Sequence, residues 1–153
     1  MTPDQEAIAA EITETEVPAA FADCKTGKAN GPDLLGNDWY RRSAPLLIPI
    51  FTIFLNQWYL DGDFPPFFLE ANIFCLQKGG DQSEPLNYQP IALLNTDYKI
   101  FAKIFTKRVR RTLAARVRPN QNDFVPGRTI YETLHIFGAV QGMFEAESDA
   151  PMP

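Results

Sequence analysis

The segment between Tyr98 and Arg118 constrains the fold more than any other part of this 153-residue chain. It carries eight lysine or arginine residues and no aspartate or glutamate, although the formal net charge of the chain is −5. Apolar residues recur in it at three- and four-residue spacing, which predicts an amphipathic helix over about 96–116. Five cations share about a third of the helix circumference, opposite the apolar face. They are Lys99, Lys103, Lys107, Arg110 and Arg111.

This run of like charge favours contact with an external anion. A solvated helix face usually mixes charge signs, because oppositely charged residues four apart stabilise a helix and like charges destabilise it. The segment has no acidic residue to offset its cations. The pattern therefore predicts contact with a nucleic-acid backbone. A simply solvated charged face remains the alternative.

The remaining pattern predicts a mostly helical α+β fold with one β-hairpin. Residues 1–23 carry six acids and no base, and predict an acidic helix that docks loosely through Ile8 and Ile12. A core helix is expected over about 39–60, split or kinked by prolines 45 and 49. Its apolar positions are Leu47, Ile50, Phe51, Phe54, Leu55 and Trp58.

The second half of the chain predicts a hairpin and two helices. Short β-branched and aromatic runs over 71–76 and 88–94 read as paired strands, joined by a loop of about ten residues. The basic helix follows the second strand. A last helix, over about 130–145, is expected to turn Leu134, Phe137 and Val140 inward.

Catalytic motifs are absent from the sequence pattern. His135 is the only histidine, and its position in the last helix favours a structural role. Cys24 and Cys75 lack metal or disulfide spacing, which predicts free thiols in a reducing compartment. The apolar region 44–60 is short and broken by prolines, and the acidic amino terminus lacks a signal peptide. We therefore expect a soluble intracellular protein with no membrane partner, and the residues alone do not indicate an enzyme.

Three segments together resemble the reverse transcriptase domain of non-LTR (LINE-type) retrotransposons. They are GKANGPDLLGNDWYRR (27–42), ANIFCLQKGGDQSEPLNYQPIALLNTDYKIFAKIFTKRVRRTL (71–113) and PNQNDFVPGRTIYETL (119–134). Their order and spacing are similar to those of the amino-terminal fingers part of that right-hand polymerase. The resemblance covers most of residues 20–145.

The resemblance implies roles for individual residues. Lys78 and Gln89 occupy positions that approach the triphosphate of the incoming nucleotide in the family. The basic helix and the F-x-PGR loop, which ends here in Arg128, lie along the template–primer in the family. The implied partner is an RNA template or an RNA–DNA hybrid.

Departures from the family pattern predict an inactive chain. Leu34 stands where the family has a glycine, which is expected to strain the turn. Gln89 replaces an arginine, with the loss of a charge-assisted contact of about 2 kcal/mol. Asp123 places a negative charge where a glycine is usual. The palm carboxylates that hold Mg²⁺ in the complete family domain are expected after the segment 130–146, and the chain ends at Pro153 before them.

We therefore predict a partial fingers subdomain without the palm. The expected organisation is an acidic helix and linker over 1–24, the fingers domain over 25–145 and an acidic disordered tail over 146–153. No catalytic or metal-binding residue is assigned within the chain. The predicted function is a fragment of an RNA-directed DNA polymerase, catalytically inactive, with weak binding to RNA or a hybrid. The alternative is a remnant that self-associates through exposed, formerly palm-facing apolar surface.

Overall fold

The computed structural model describes residues 2–122 and 124–148. They form a mostly helical α+β structure with one two-stranded antiparallel sheet, as predicted. The chain divides into two compact units, Pro3–Thr106 and Lys107 onward, each described separately below. In chain order the elements are α1 (Pro3–Ala9), α2 (Glu16–Ala22), α3 (Asn37–Arg42), α4 (Ala44–Asp61), α5 (Pro66–Leu69), β1 (Ala71–Gln77), a 3₁₀ turn (Pro85–Asn87), β2 (Tyr88–Leu94), α6 (Thr96–Arg116) and α7 (Ile130–Ser148).

The first unit is built around an aromatic-rich core to which the helices from α2 to α6 all contribute. Phe68 of α5 lies against Trp58, Phe64 and Phe101, with ring centroids 5.2–5.7 Å apart. Such tilted and offset ring pairs add to the stability gained from burial itself. The buried residues of this core are Ile12, Val17, Ala20, Phe21, Cys24, Tyr40, Leu55, Phe68, Ile100 and Ile104.

The amino-terminal region contributes more to this core than its sequence predicted. Ile12 is buried, and the Asn56 side chain both accepts from its N–H and donates to its carbonyl, at 2.6 and 2.8 Å. The helix α2 was not predicted. The sequence shows the Thr-x-x-Glu pattern of a capping box at Thr13 and Glu16. The structure forms this box, because the Thr13 hydroxyl accepts from the N–H of Glu16 and the Glu16 carboxylate accepts from the N–H of Thr13.

The predicted long helix is divided at Ser43 rather than at its prolines. Pro45 lies in the first turn of α4, where a missing N–H costs nothing, and Pro49 lies within the helix without ending it. The helix ends as predicted at Gly62, which adopts φ +70°. Among the predicted core positions, Leu55 is buried and Leu47, Phe51 and Trp58 are half-buried against the core. Ile50 and Phe54 are exposed, which corrects their assignment.

The β-hairpin pairs as predicted, with Ala71 opposite Leu94 and Gln77 opposite Tyr88. Its loop, 78–87, contains the 3₁₀ turn and is closed by a bond from the Lys78 N–H to the Asn87 carbonyl. Most of β1 is exposed, including the apolar side chains of Ile73, Phe74 and Leu76.

The residue Asn95, between β2 and α6, joins three segments of the first unit. Its buried side-chain amide accepts from the N–H of Asp33 at 3.1 Å and donates to the carbonyl of Phe67 at 2.8 Å. Gly31 packs against the same residue so closely that a Cβ there would lie 2.5 Å from the Asn95 nitrogen. The residue at position 31 must therefore be glycine for the loop to reach Asn95.

Thr96 extends this network to α3. Its buried hydroxyl lies 2.9 Å from the Asn37 side-chain oxygen and 3.3 Å from the Leu35 carbonyl. Together, Asn95 and Thr96 fasten the 31–37 loop to the start of α6. Because buried polar groups are stable only when hydrogen-bonded, this network requires the observed arrangement of all three segments.

The second unit comprises the end of α6, the 117–129 loop and α7. The last helix begins after Thr129 as predicted, but the prediction of which of its residues face inward is wrong. Leu134, Phe137 and Val140 are all exposed, because no described element of this unit packs over them. His135 is also exposed, so it contributes to no core.

Parts of two sequence predictions lie outside the described residues. The helix α7 extends to Ser148, past the predicted start of the acidic tail at residue 146, and 149–153 are not described. Asp123, expected to place a charge in the 119–128 loop, is not described either.

The predicted strain at Leu34 is present in the structure. Leu34 adopts φ +60° and is exposed over 75% of its surface. A leucine in this left-handed region costs of order 1–3 kcal/mol, whereas glycine adopts it freely. We predict that Leu34→Gly raises the free energy of unfolding by about 1 kcal/mol, because the relieved strain exceeds the entropy that glycine adds to the unfolded chain. Urea unfolding measures this change, and Leu35→Gly, which relieves no strain, should lower stability; a less stable Leu34→Gly variant would contradict the prediction.

The carboxyl group of Asp97 makes stability depend on pH. Burial raises the pKa of Asp97 to about 6; the N–H of Tyr98 opposes this rise and the Asp33 carboxylate adds to it. Because the folded pKa exceeds the ordinary value of 3.8, the stability linked to this proton is complete below pH 4. It is lost as the pH rises through about 6.

We predict that Asp97→Asn stabilises the protein at pH 7.5 by about 1–2 kcal/mol and has little effect near pH 3.5. An asparagine keeps the oxygen that accepts from the Tyr98 N–H at 2.7 Å, but it carries no charge to desolvate. Urea unfolding at both pH values gives the difference, with the exposed Asp63→Asn as a control. An equal effect of Asp97→Asn at the two pH values would rule out this linkage.

Candidate nucleic-acid interface

The predicted basic face of α6 consists of two groups with different surroundings. Lys99 and Lys103 are half-buried in the first unit, where neighbouring Ile100 and Ile104 enter its core. Lys107, Arg110 and Arg111 follow along the same helix and are exposed. The predicted face is thus divided between the two units, which the helical angles alone did not predict.

The first group lines a cavity of about 290 Å³ between the loop after α2 and α6. Sequence reasoning missed the two further lysines of this cavity, Lys25 and Lys28, because they lie some seventy positions before α6. The lining residues are Asp23, Cys24, Lys25, Lys28, Asn37, Lys99 and Lys103. Burial raises the pKa of the Cys24 thiol, although the nearby Lys103 and Lys99 ammonium groups oppose the rise. Both Cys24 and Cys75 are free thiols, as predicted.

In the second group, Arg110 and Arg111 present their guanidinium groups at the surface of the described structure. A guanidinium has five N–H donors and keeps its charge at any physiological pH, which suits it to phosphate oxygens. Neighbouring Arg108 is buried. Only part of the arginine cluster is thus available to a ligand.

Arg128 is used differently from the expectation drawn from the resemblance. Its guanidinium donates to the carbonyls at the end of α6 and in the following loop, at 2.5–3.2 Å. The acceptors are Ala114, Val117, Arg118 and Gln121. The last carbonyls of a helix lack intrahelical partners, and a cation there also complements the helix dipole. In this structure Arg128 closes the 117–128 loop against α6, and its contact with nucleic acid stays a prediction.

The predicted nucleotide-binding residues both lie at the loop end of the hairpin. Gln89 is in β2 opposite Leu76, and Lys78 directly follows β1, with its N–H bonded to the Asn87 carbonyl. Both side chains are exposed. A cavity of about 360 Å³, lined in part by Cys75 and Tyr88, does not include them.

The described residues offer no metal site. Within 2–122 and 124–148, no three His, Cys, Asp or Glu side chains form a group that could hold a metal ion. The described helices also include none with the length and apolar character required to span a membrane.

Comparison with known proteins indicates the origin of the chain. No protein-family model matches it. A search found the transposon TX1 uncharacterized 149 kDa protein of Xenopus laevis, 32% identical over 132 residues and 86% of this chain. The chain is similar to a transposon protein. It spans 10% of the length of that relative, and the similarity supports an origin in a transposon.

Proposed function

We propose that the chain derives from the reverse transcriptase domain of a LINE-type retrotransposon and binds RNA or an RNA–DNA hybrid weakly, without polymerase activity. The cations of α6 carry this proposal, since the segment 98–118 holds eight of them and no acid. The similarity to a transposon protein supports it. The proposed contacts are made by Lys99, Lys103, Lys107, Arg110 and Arg111, with Lys78 and Gln89 at the nucleotide and Arg128 holding the end of α6.

Binding through phosphate contacts has two measurable properties. It is nearly independent of sequence, because phosphates are common to every strand. It also weakens steeply with salt, because each neutralised phosphate releases a counterion. Exposed arginines are well placed for such contacts, since they give up few bonds within the protein to make them.

We predict that Arg110→Gln, Arg111→Gln lowers affinity for a labelled RNA–DNA hybrid about tenfold at low salt. It should also reduce the slope of log K against log salt by about 2, or roughly one for each lost phosphate contact. Fluorescence anisotropy across a salt series measures both quantities. Because both residues are exposed, the variant should unfold at the same urea concentration as the parent chain.

Arg42→Glu is the matched control, because it changes the net charge by the same two units but lies on α3. We expect its affinity to stay within about twofold and its salt slope to be unchanged. Equal weakening by the two variants would show that net charge alone attracts the hybrid. A salt-independent affinity of the parent chain would refute phosphate-mediated binding.

Exposed apolar side chains favour a second function, self-association. On α7, Phe137 and Met143 are both 72% exposed, and Ile73 of β1 is 64% exposed. Contiguous apolar patches on protein surfaces mark interaction sites. A second copy of the chain would cover them in this proposal, as neighbouring parts of a complete polymerase would have done.

We predict that Phe137→Ser, Val140→Ser abolishes a rise in sedimentation coefficient that the parent chain shows from low to high micromolar concentration. Serine at these exposed positions removes apolar surface without opening a core cavity. Leu46→Ser serves as the control, since Leu46 is 76% exposed at the start of α4. A parent chain that sediments as a monomer throughout would exclude this function.

A further inference from the structure

The lysine-lined cavity of the first unit has properties of a ligand site. Its volume of about 290 Å³ is near the lower end of the range for small-molecule sites, roughly 300–1,000 Å³. This space admits a small anion but not a nucleic-acid duplex. Four of its seven lining residues are lysines, and they come from two segments, the loop after α2 and the helix α6.

The loop that carries Lys25 and Lys28 is fastened beside α6. The Asn37 side chain donates to the Lys25 carbonyl at 2.7 Å and bonds through its oxygen to Thr96 at 2.9 Å. Asn37 is itself 8% exposed. The Gly27 N–H donates to the Asp38 carboxylate at 3.2 Å, so the loop has a second attachment. The lysines therefore start from a backbone that is already in place.

The charge of the cavity is strongly positive. Asp23 is the acidic residue among the described lining side chains, against four ammonium groups. The Cys24 thiol adds no negative charge near neutral pH, because burial raises its pKa above the ordinary value of 9.0. Like charges that line one cavity repel, and an anion among them would remove that repulsion.

We propose that this cavity binds one phosphate group. Each lysine offers three rotatable donors, and the oxygens of a phosphate accept charge-assisted hydrogen bonds from several directions at once. The phosphate belongs either to a small free anion or to a nucleic-acid strand that crosses the loop. Because Lys99 and Lys103 also belong to the basic face of α6, the inference rests in part on the proposed function. Lys25 and Lys28 belong to the cavity alone.

The test is a titration of the intact chain with inorganic phosphate, followed by ¹H–¹⁵N NMR at constant ionic strength. We expect saturable shifts of the amides of Lys25, Lys28 and Asn37. The variant Lys25→Gln, Lys28→Gln should weaken phosphate binding about tenfold. Lys28→Arg, which keeps the charge, should bind within about threefold of the parent chain. Unchanged amide shifts in the core would show that each variant is folded.

Arg42→Glu is the matched control, because it changes the net charge by the same two units and Arg42 does not line the cavity. Phosphate affinity within about twofold of the parent value supports the site. Equal weakening in Lys25→Gln, Lys28→Gln and in Arg42→Glu, or shifts that do not saturate, would overturn it.

A second titration, in the presence of the RNA–DNA hybrid, distinguishes the two sources of phosphate. Competition identifies a strand phosphate, and simultaneous binding identifies a small free anion; either result supports the cavity. Hybrid binding by Arg110→Gln, Arg111→Gln tests the proposed function. Phosphate binding by Lys25→Gln, Lys28→Gln tests the cavity. Either proposal can therefore fail while the other holds.

Discussion

The side-chain amide of Asn95 holds together the parts of the first unit that are distant in sequence. Its oxygen accepts from the Asp33 N–H and its nitrogen donates to the Phe67 carbonyl, from a position almost fully removed from water. An unpaired buried amide costs several kcal/mol, so both bonds are needed for the structure to be stable. Gly31 allows this close approach because it has no Cβ, and a Cβ at this position would overlap Asn95. The 31–37 loop, α5 and α6 consequently take their positions from one residue.

The positions of the lysines follow from this junction. Thr96 binds Asn37, and Asn37 binds the Lys25 carbonyl, so the loop after α2 lies beside the first turns of α6. Burial at the start of α6 destabilises the charged form of Asp97, and this desolvation raises the pKa of its carboxyl group. Leu34 also lowers stability, because a leucine is strained in the left-handed backbone conformation of this turn. The loop geometry is thus maintained against two local penalties, which the surrounding hydrogen bonds and packing offset.

The exposed apolar surface of the chain supports the second of its proposed functions, self-association. Phe137 of α7 and Ile73 of β1 are largely exposed, whereas the core of the first unit is well covered. Exposed apolar patches of this kind mark interaction sites on protein surfaces. The cations of α6 and these apolar faces are separate features. Salt-dependent binding and concentration-dependent association can therefore be tested independently.

The sequence by itself determined the hairpin and the long helices α6 and α7 of this protein, whereas α2 was not predicted. The 3.6-residue period placed α6, the extended runs placed the hairpin, and the thiols of Cys24 and Cys75 are free as their spacing indicated. These features depend on neighbours in the chain, which a sequence displays directly. Only the tertiary structure decided which faces are covered and which partners each side chain takes. It exposed the apolar face of α7, turned Arg128 onto backbone carbonyls and brought the loop lysines to α6, because burial and hydrogen bonding depend on residues far apart in the chain.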